Sequence, residues 1–498
     1  MKIKKILKFS ALGVLATTPF LSFISCGNES EQEKEIKIAI KELKESLKTD
    51  TTAQNLKTKF EGYSKDAMTI VGSKQEINLQ SEALIKAFNE YYGTNLTFKQ
   101  YGGTTNPGTI ITTKMSSSGG IGDLLMYAIE PRSEFEGRLD KLIDTSPKAI
   151  LEHDGDITGT IKFENENKSF LPQVYEYYGV VYNKDLFIEK GVNVYEGKSF
   201  DNAKVSNLQK SDAYDGTIEK DNKLYVFTND LKESGYRKVI SFLKSKGVAN
   251  PFYSLAKAGT GDLWPISTHL IAGAISTIAN PQVWNDEKKI ITQEVIDATK
   301  KALEIMGYTT ENDGKKTNNV SSGLAELAVG TTAMIQGGTF SEPDVKRNKN
   351  DVKLGLFPLP IFNKNDQTAM IYRGAAQKWA ITALAKDESK LKTAKMFLQF
   401  LYKTKTGYEF LSKTFKFISP YGVPNGATNV LEPDSLLASA VNYEGENNVN
   451  KWIHDNFPEG FNTDNQILLE AANNGYANND TLTKVQTEYK ALLNGKKK

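Results

Sequence analysis

The sequence predicts an α/β fold divided into two or three lobes, and three observations carry that prediction. Strand-like and helix-like runs alternate from Met68 onward, the chain has 498 residues, and 39% of them are hydrophobic. At roughly 150 residues per domain, the length supplies two or three cores, each large enough to stand without staples. Strands alternating with helices of about 10 to 15 residues imply a largely parallel sheet covered on both faces. There is one cysteine, Cys26, which excludes a disulfide framework and any metal site built on a cysteine cluster. His153, His269 and His454 are the only histidines, too few for a multi-histidine metal site. With 62 basic against 60 acidic residues the net charge is +2, which gives no electrostatic grip on nucleic acid.

Taken in order, the chain begins with a basic head, Lys2, Lys4, Lys5 and Lys8, followed by an apolar run from Phe9 to Ile24. The run is interrupted by Thr17, Thr18, Pro19 and Ser22, too short and too broken to stay in a bilayer as a helix, so residues 1–25 read as an export signal. Cys26 follows it directly, in Leu21-Ser22-Phe23-Ile24-Ser25-Cys26-Gly27, which resembles the lipobox of bacterial lipoproteins. That resemblance implies lipidation of Cys26 and anchoring on the outer face of the cytoplasmic membrane, which two or more acyl chains would make stable.

Residues 26–66 read as a polar tether. Ile36, Ile40, Leu43 and Leu47 make one narrow apolar stripe on a spacer helix. Beyond it, strands are expected at 67–72, 96–101, 353–359 and 379–383, and helices at 79–92, 107–115 and 391–402. The polar stretch Gly197 to Asn222 reads as a surface insertion.

Catalytic signatures are missing. Neither the phosphate-loop motif, nor His-Glu-x-x-His, nor Gly-x-Ser-x-Gly occurs, and the glycine clusters lack dinucleotide spacing. His269, in Leu263-Trp264-Pro265-Ile266-Ser267-Thr268-His269, reads as a core or rim histidine. No enzyme activity and no cofactor are expected.

One segment carries most of the recognition: Phe170-Leu171-Pro172-Gln173-Val174-Tyr175-Glu176-Tyr177-Tyr178-Gly179-Val180-Val181-Tyr182-Asn183-Lys184-Asp185-Leu186-Phe187, followed by Gly191-Val192. It resembles the Tyr-Asn-Lys-Asp-Leu-Phe block of the family 1 extracellular solute-binding proteins of ABC importers, the maltose-binding-protein-like group. Gly330 to Phe340, Lys353 to Pro360, Tyr372 to Ile381 and Ala394 to Leu401 are similar to further blocks of that family, in its order. The resemblance covers roughly residues 67–425.

It implies a type II periplasmic-binding-protein fold of two lobes joined by hinge strands. Lobe 1 would hold 67–175 and 374–417, and lobe 2 would hold 180–365 and 420–498. It also implies a monomer that captures a small molecule, a sugar in the first instance, and passes it to ABC permease subunits. Glu176 and Tyr177 would face the cleft from the hinge, Gly338 and Phe340 would present the aromatic position of the Gly-x-x-Ala-Met block, and Arg373 and Gly374 would mark the return to lobe 1.

Ser73, Lys74 and Gln75 follow the first strand, where an α/β crevice opens. Asp123 either lines the cleft or caps a turn, Trp264 either stacks on ligand or packs at a helix start, and Arg373 either binds ligand or makes a salt bridge. A phosphorylated or acidic ligand, a lipid-anchored hydrolase and an adhesin stand as alternatives to the sugar reading.

Overall fold

The computed structural model describes residues 31–101, 107–116, 121–129, 138–152, 162–163, 168–255, 265–280, 283–308, 319–362, 369–428, 431–451 and 479–495. The export signal, Cys26, Trp264, His153 and His454 lie outside the described residues.

Nine strands form the main sheet among the described residues: β1 Ala67–Gly72, β2 Asn95–Gln100, β3 Leu124–Ile129, β4 Leu171–Asn183, β5 Asn250–Phe252, β6 Thr332–Gly338, β7 Leu354–Phe357, β8 Ile371–Ile381 and β9 Val449–Lys451. Their order is β5-β6-β4-β8-β3-β1-β2, with β7 added to β4 and β9 to β8. The parallel pairs are β1 with β2 and β3, β5 with β6, and β8 with β9. Every antiparallel pair involves β4 or β8, the two long strands that run from one half of the molecule into the other. Helices cover this mixed α/β sheet.

Two cores meet along those strands. One gathers Ile70, Leu84, Phe88, Met126, Leu171, Val174, Trp379 and Phe400, all buried. The other gathers Tyr177, Val181, Val239, Met334, Leu356, Tyr372 and Leu436. Along β4 the side chains change core between Val174 and Tyr177, and along β8 between Tyr372 and Ala376. The register there pairs Glu176 with Gly374, so both crossings occur side by side.

Local chemistry accounts for the first unit of lobe 1. Helix Asn78–Tyr92 buries Leu84, Ile85, Phe88 and Tyr92 on one stripe and stops at Gly93, whose φ of +75° is the left-handed cap a glycine adopts freely. The chain then returns as β2 beside β1. Helix Glu388–Lys403 starts where the Asp387 carboxylate accepts from the amides of Ser389 and Lys390, and it lays Phe397, Phe400 and Leu401 on the same core.

The expected tether differs from what is found over 31–60. Helix Glu31–Thr49 lies on lobe 1 with Leu43 and Leu47 only 3% and 1% exposed, and helix Thr51–Lys59 adds Ala53 and Leu56 to the same core. The apolar stripe was legible, but not its partner: it packs on helices Asn78–Tyr92 and Lys405–Lys413 instead of spacing the body from a surface. Asp50 joins the two helices to the body, accepting from the Thr52 and Ala53 amides and, through its other oxygen, from Thr406 at 2.8 Å.

The 197–222 segment is built into lobe 2. A three-stranded sheet, Val192–Tyr195, Lys223–Phe227 and Thr217–Lys220, frames it, and Phe200 meets Phe227 edge-on at 5.3 Å. The C-terminal helix Asn479–Gly495 buries Tyr489, whose hydroxyl donates to the Trp284 carbonyl at 2.6 Å. No helix among the described residues is long and apolar enough to cross a membrane.

Candidate functional site

Open α/β sheets take ligands outside the carboxyl ends of their strands. β1 ends at Gly72, and Ser73, Lys74 and Gln75 lead from it into a short turn, Gln75–Ile77. Lys74 points toward the hinge. Its ammonium forms an ion pair with Glu176 and lies 3.1 Å from Glu76. Glu176 is only 4% exposed and is the partner of Gly374, which has no side chain to crowd it. The hydroxyl of Tyr178 donates to the second oxygen of Glu176 at 3.1 Å.

Aromatic rings close the group. The Lys74 ammonium sits 5.9 Å from the ring centre of Phe340 and 5.6 Å from that of Phe417, within the range of cation–π attraction. His269 lies 4.4 Å from Tyr178 and 6.0 Å from Phe340, ring centre to ring centre. Gly338 lets Phe340 approach, since any β-carbon there would stand 2.8 Å from its ring as well as 2.4 Å from the Tyr177 carbonyl oxygen. Ser73 donates to the Gln377 side-chain oxygen at 2.8 Å, and Gln377 has φ +52°, an uncommon value for a residue other than glycine.

Of the residues named from sequence, Ser73, Lys74, Glu176, Gly338, Phe340 and Gly374 therefore come together, and Gln75 stands exposed at the turn beside them. Two expectations require correction. Glu176 and Tyr177 do not face the same space, because neighbouring side chains on a strand point to opposite faces. Tyr177 instead donates to Glu444, and Arg373, its register partner, pairs with Glu444 at 2.8 Å, the salt-bridge alternative for that arginine. Burial, reinforced by Glu444, raises the Tyr177 pKa.

Asp123 stands at the amino end of β3, which runs parallel to β1, and so lies at the end opposite Ser73 and Lys74. It accepts from Thr69 and lies 3.3 Å from Lys114, and these hydrogen bonds, Thr69 foremost, hold its carboxyl below the usual range despite partial burial. That is the turn-anchoring alternative.

Sequence reading did not single out Tyr178, Gln377 or Phe417 as site residues. Tyr178 was findable from the pleat, two residues from Glu176 and so on the same face. Neither the left-handed backbone of Gln377 nor the packing of Phe417 leaves a local signal.

The group offers carboxylate and hydroxyl acceptors beside ring faces, the means by which a cleft holds hydroxylated molecules. Among the described residues no cluster of three or more His, Cys, Asp and Glu is placed to hold a metal ion. A separate cavity of about 320 Å³, around Tyr182, Glu196 and Asn442, is lined by residues of lobe 2 alone. The hinge group is the better candidate because it joins elements of both lobes.

Searches against family models and against curated sequences return no match. Solved structures do match. RafE in complex with raffinose is 14% identical, with 86% of this chain and 100% of that one covered, at a TM-score of 0.60. A manno-oligosaccharide-specific solute-binding protein from Bifidobacterium animalis subsp. lactis, in complex with mannotriose, is 18% identical over 86% of this chain and 95% of its own, at 0.53. A solute-binding protein of an ABC transporter from Thermotoga lettingae, bound with α-D-tagatose, is 13% identical over 86% and 100%, at 0.56. The chain has the fold of the two-lobed solute-binding proteins. At the level of fold, this is the resemblance carried by the Phe170 to Phe187 block and its four companions.

Proposed function

We propose that this chain is the substrate-binding component of an ABC importer. It captures an extracellular carbohydrate between its lobes as a monomer and hands it to permease subunits, without catalysing a reaction. The observation that carries the reading is the hinge group. On a fold shared with proteins solved with raffinose, mannotriose and tagatose, Glu176, Tyr178 and Phe340 gather a carboxylate, a hydroxyl and a ring face where the two lobes join. Lipid on Cys26 would keep the protein on the outer face of the cytoplasmic membrane, beside the permease.

Calorimetric titration with raffinose, mannotriose and tagatose, and separately with sugar phosphates and nucleosides, tests the ligand class. Saturable heat with a neutral sugar, weakened at least about tenfold in Phe340→Ala, is expected. Binding of phosphorylated compounds alone would overturn the carbohydrate reading. For the anchor, Cys26→Ser should release the chain from membranes into the medium, and retention of that variant would count against lipidation.

A further inference from the structure

Charged side chains line one contact between the lobes. The turn Gln75–Ile77 of lobe 1 packs against helix Glu342–Asn348 of lobe 2. Across it Glu76 and Asp344 bring like charges together. Burial raises the Asp344 pKa and Glu76 adds to the rise, while Arg347, 2.9 Å away, opposes it. Lys74 is 9% exposed and sits beside this contact, bound to Glu76 on its own lobe, to Glu176 on the hinge, and over the lobe-2 ring of Phe340.

We propose that Lys74 is a latch between the lobes. Its ammonium is held at the hinge by the Glu176 carboxylate and lies over the lobe-2 ring of Phe340, so parting the lobes draws that ring away from a desolvated ion pair. Removing one partner of a buried pair leaves the other charge uncompensated, so the loss of either Lys74 or Glu176 disturbs the contact more than the loss of a surface pair would. The same ammonium tempers the repulsion of Glu76 on Asp344. Only the use of the latch, setting how readily the crevice admits and releases its solute, rests on the binding function proposed above. The latch itself concerns the lobes.

Hydrogen–deuterium exchange of the full chain in detergent micelles reads it without any sugar. Lys74→Met keeps the apolar stem and removes the charge. Amides of 75–77 and 342–348 should then exchange about tenfold faster, the scale of one lost charge-assisted hydrogen bond, while Leu124–Ile129 in lobe 1 stays as in the parent. Glu176→Gln should give the same pattern, and the double variant should add little to either single change. In Lys74→Ala, propylammonium should restore protection at the lobe contact, and in Lys74→Met it should not.

Unchanged exchange at the contact in both single variants would overturn the latch. So would acceleration throughout the chain in both, which would make the pair a general support of the fold. A wild-type protein that failed to bind any sugar would leave the exchange pattern in place, so the two readings fail separately.

Discussion

Glu176 on β4 and Gly374 on β8 face each other in register at the point where both strands leave one hydrophobic core for the other. The pairing explains how a carboxylate is accommodated at a crossing made of main chain. The neighbouring strand contributes no side chain there, and Lys74 and Tyr178 fill the space from the turn after β1 and from β4 itself. The hinge is thus both the place where the lobes join and the place where polar groups collect.

Gly338 sits under the same constraint. A methyl group at this position would lie 2.4 Å from the Tyr177 carbonyl oxygen and 2.8 Å from the Phe340 ring. The ring can turn, but the carbonyl belongs to a paired strand. Gly338→Ala should therefore cost about 2 kcal/mol or more of stability, and it should displace Phe340 from the crevice. Denaturant titration gives the first and loss of sugar affinity the second. A variant as stable as the parent would mean that β4 yields at this point.

Arg373 predicts a contrast with Lys74. Its side chain is 50% exposed and its partner Glu444 49%, so the pair is well solvated. Arg373→Ala should lower stability by less than about 1 kcal/mol, fading further in high salt, and should leave solute affinity unchanged. A tenfold loss of affinity would return Arg373 to the ligand site.

The alternation of strands and helices was readable because each element of lobe 1 is built from local pattern. The strand at 67–72 has the expected bounds, and the helix at 78–92 differs by one residue. The strand expected at 379–383 is instead the end of an eleven-residue strand starting at Ile371, because Arg373, Gly374 and Gln377 interrupt the apolar run while the main chain continues. Members of the candidate hinge group were readable where they follow a strand end, as Ser73 and Lys74 do. They were misread where side-chain direction mattered, as with Tyr177, or where strand polarity did, as with Asp123. What Lys74 would pair with is a long-range fact, 102 residues away in the chain.

The first helix offers a direct measure of where the folded body begins. Leu47 is 1% exposed, whereas Ile38 on the same helix is 58% exposed. Leu47→Ala should cost about 3 kcal/mol, since it removes buried methyls and leaves a cavity, and Ile38→Ala should be near neutral. Equal and small effects would show that the helix is a tether after all, independent of lobe 1.

Asp50 makes the attachment of that region sensitive to acid. Burial acts to raise its pKa, but the hydrogen bonds from Thr52, Thr406 and Ala53 outweigh it and hold the carboxyl below its ordinary 3.8. A folded-state value below the unfolded one means that the ionised form favours the fold. The contribution is full above the unfolded value and is lost as pH falls through the folded one. Asp50→Ser keeps a capping oxygen for helix Thr51–Lys59 but loses the charge and the reach to Thr406. The stability gap between parent and Asp50→Ser should therefore be about 1 to 2 kcal/mol at neutral pH and shrink below about pH 4. Urea unfolding at a series of pH values measures it. A gap that holds constant into acid would show that shape, not charge, makes Asp50 the right residue between the two helices.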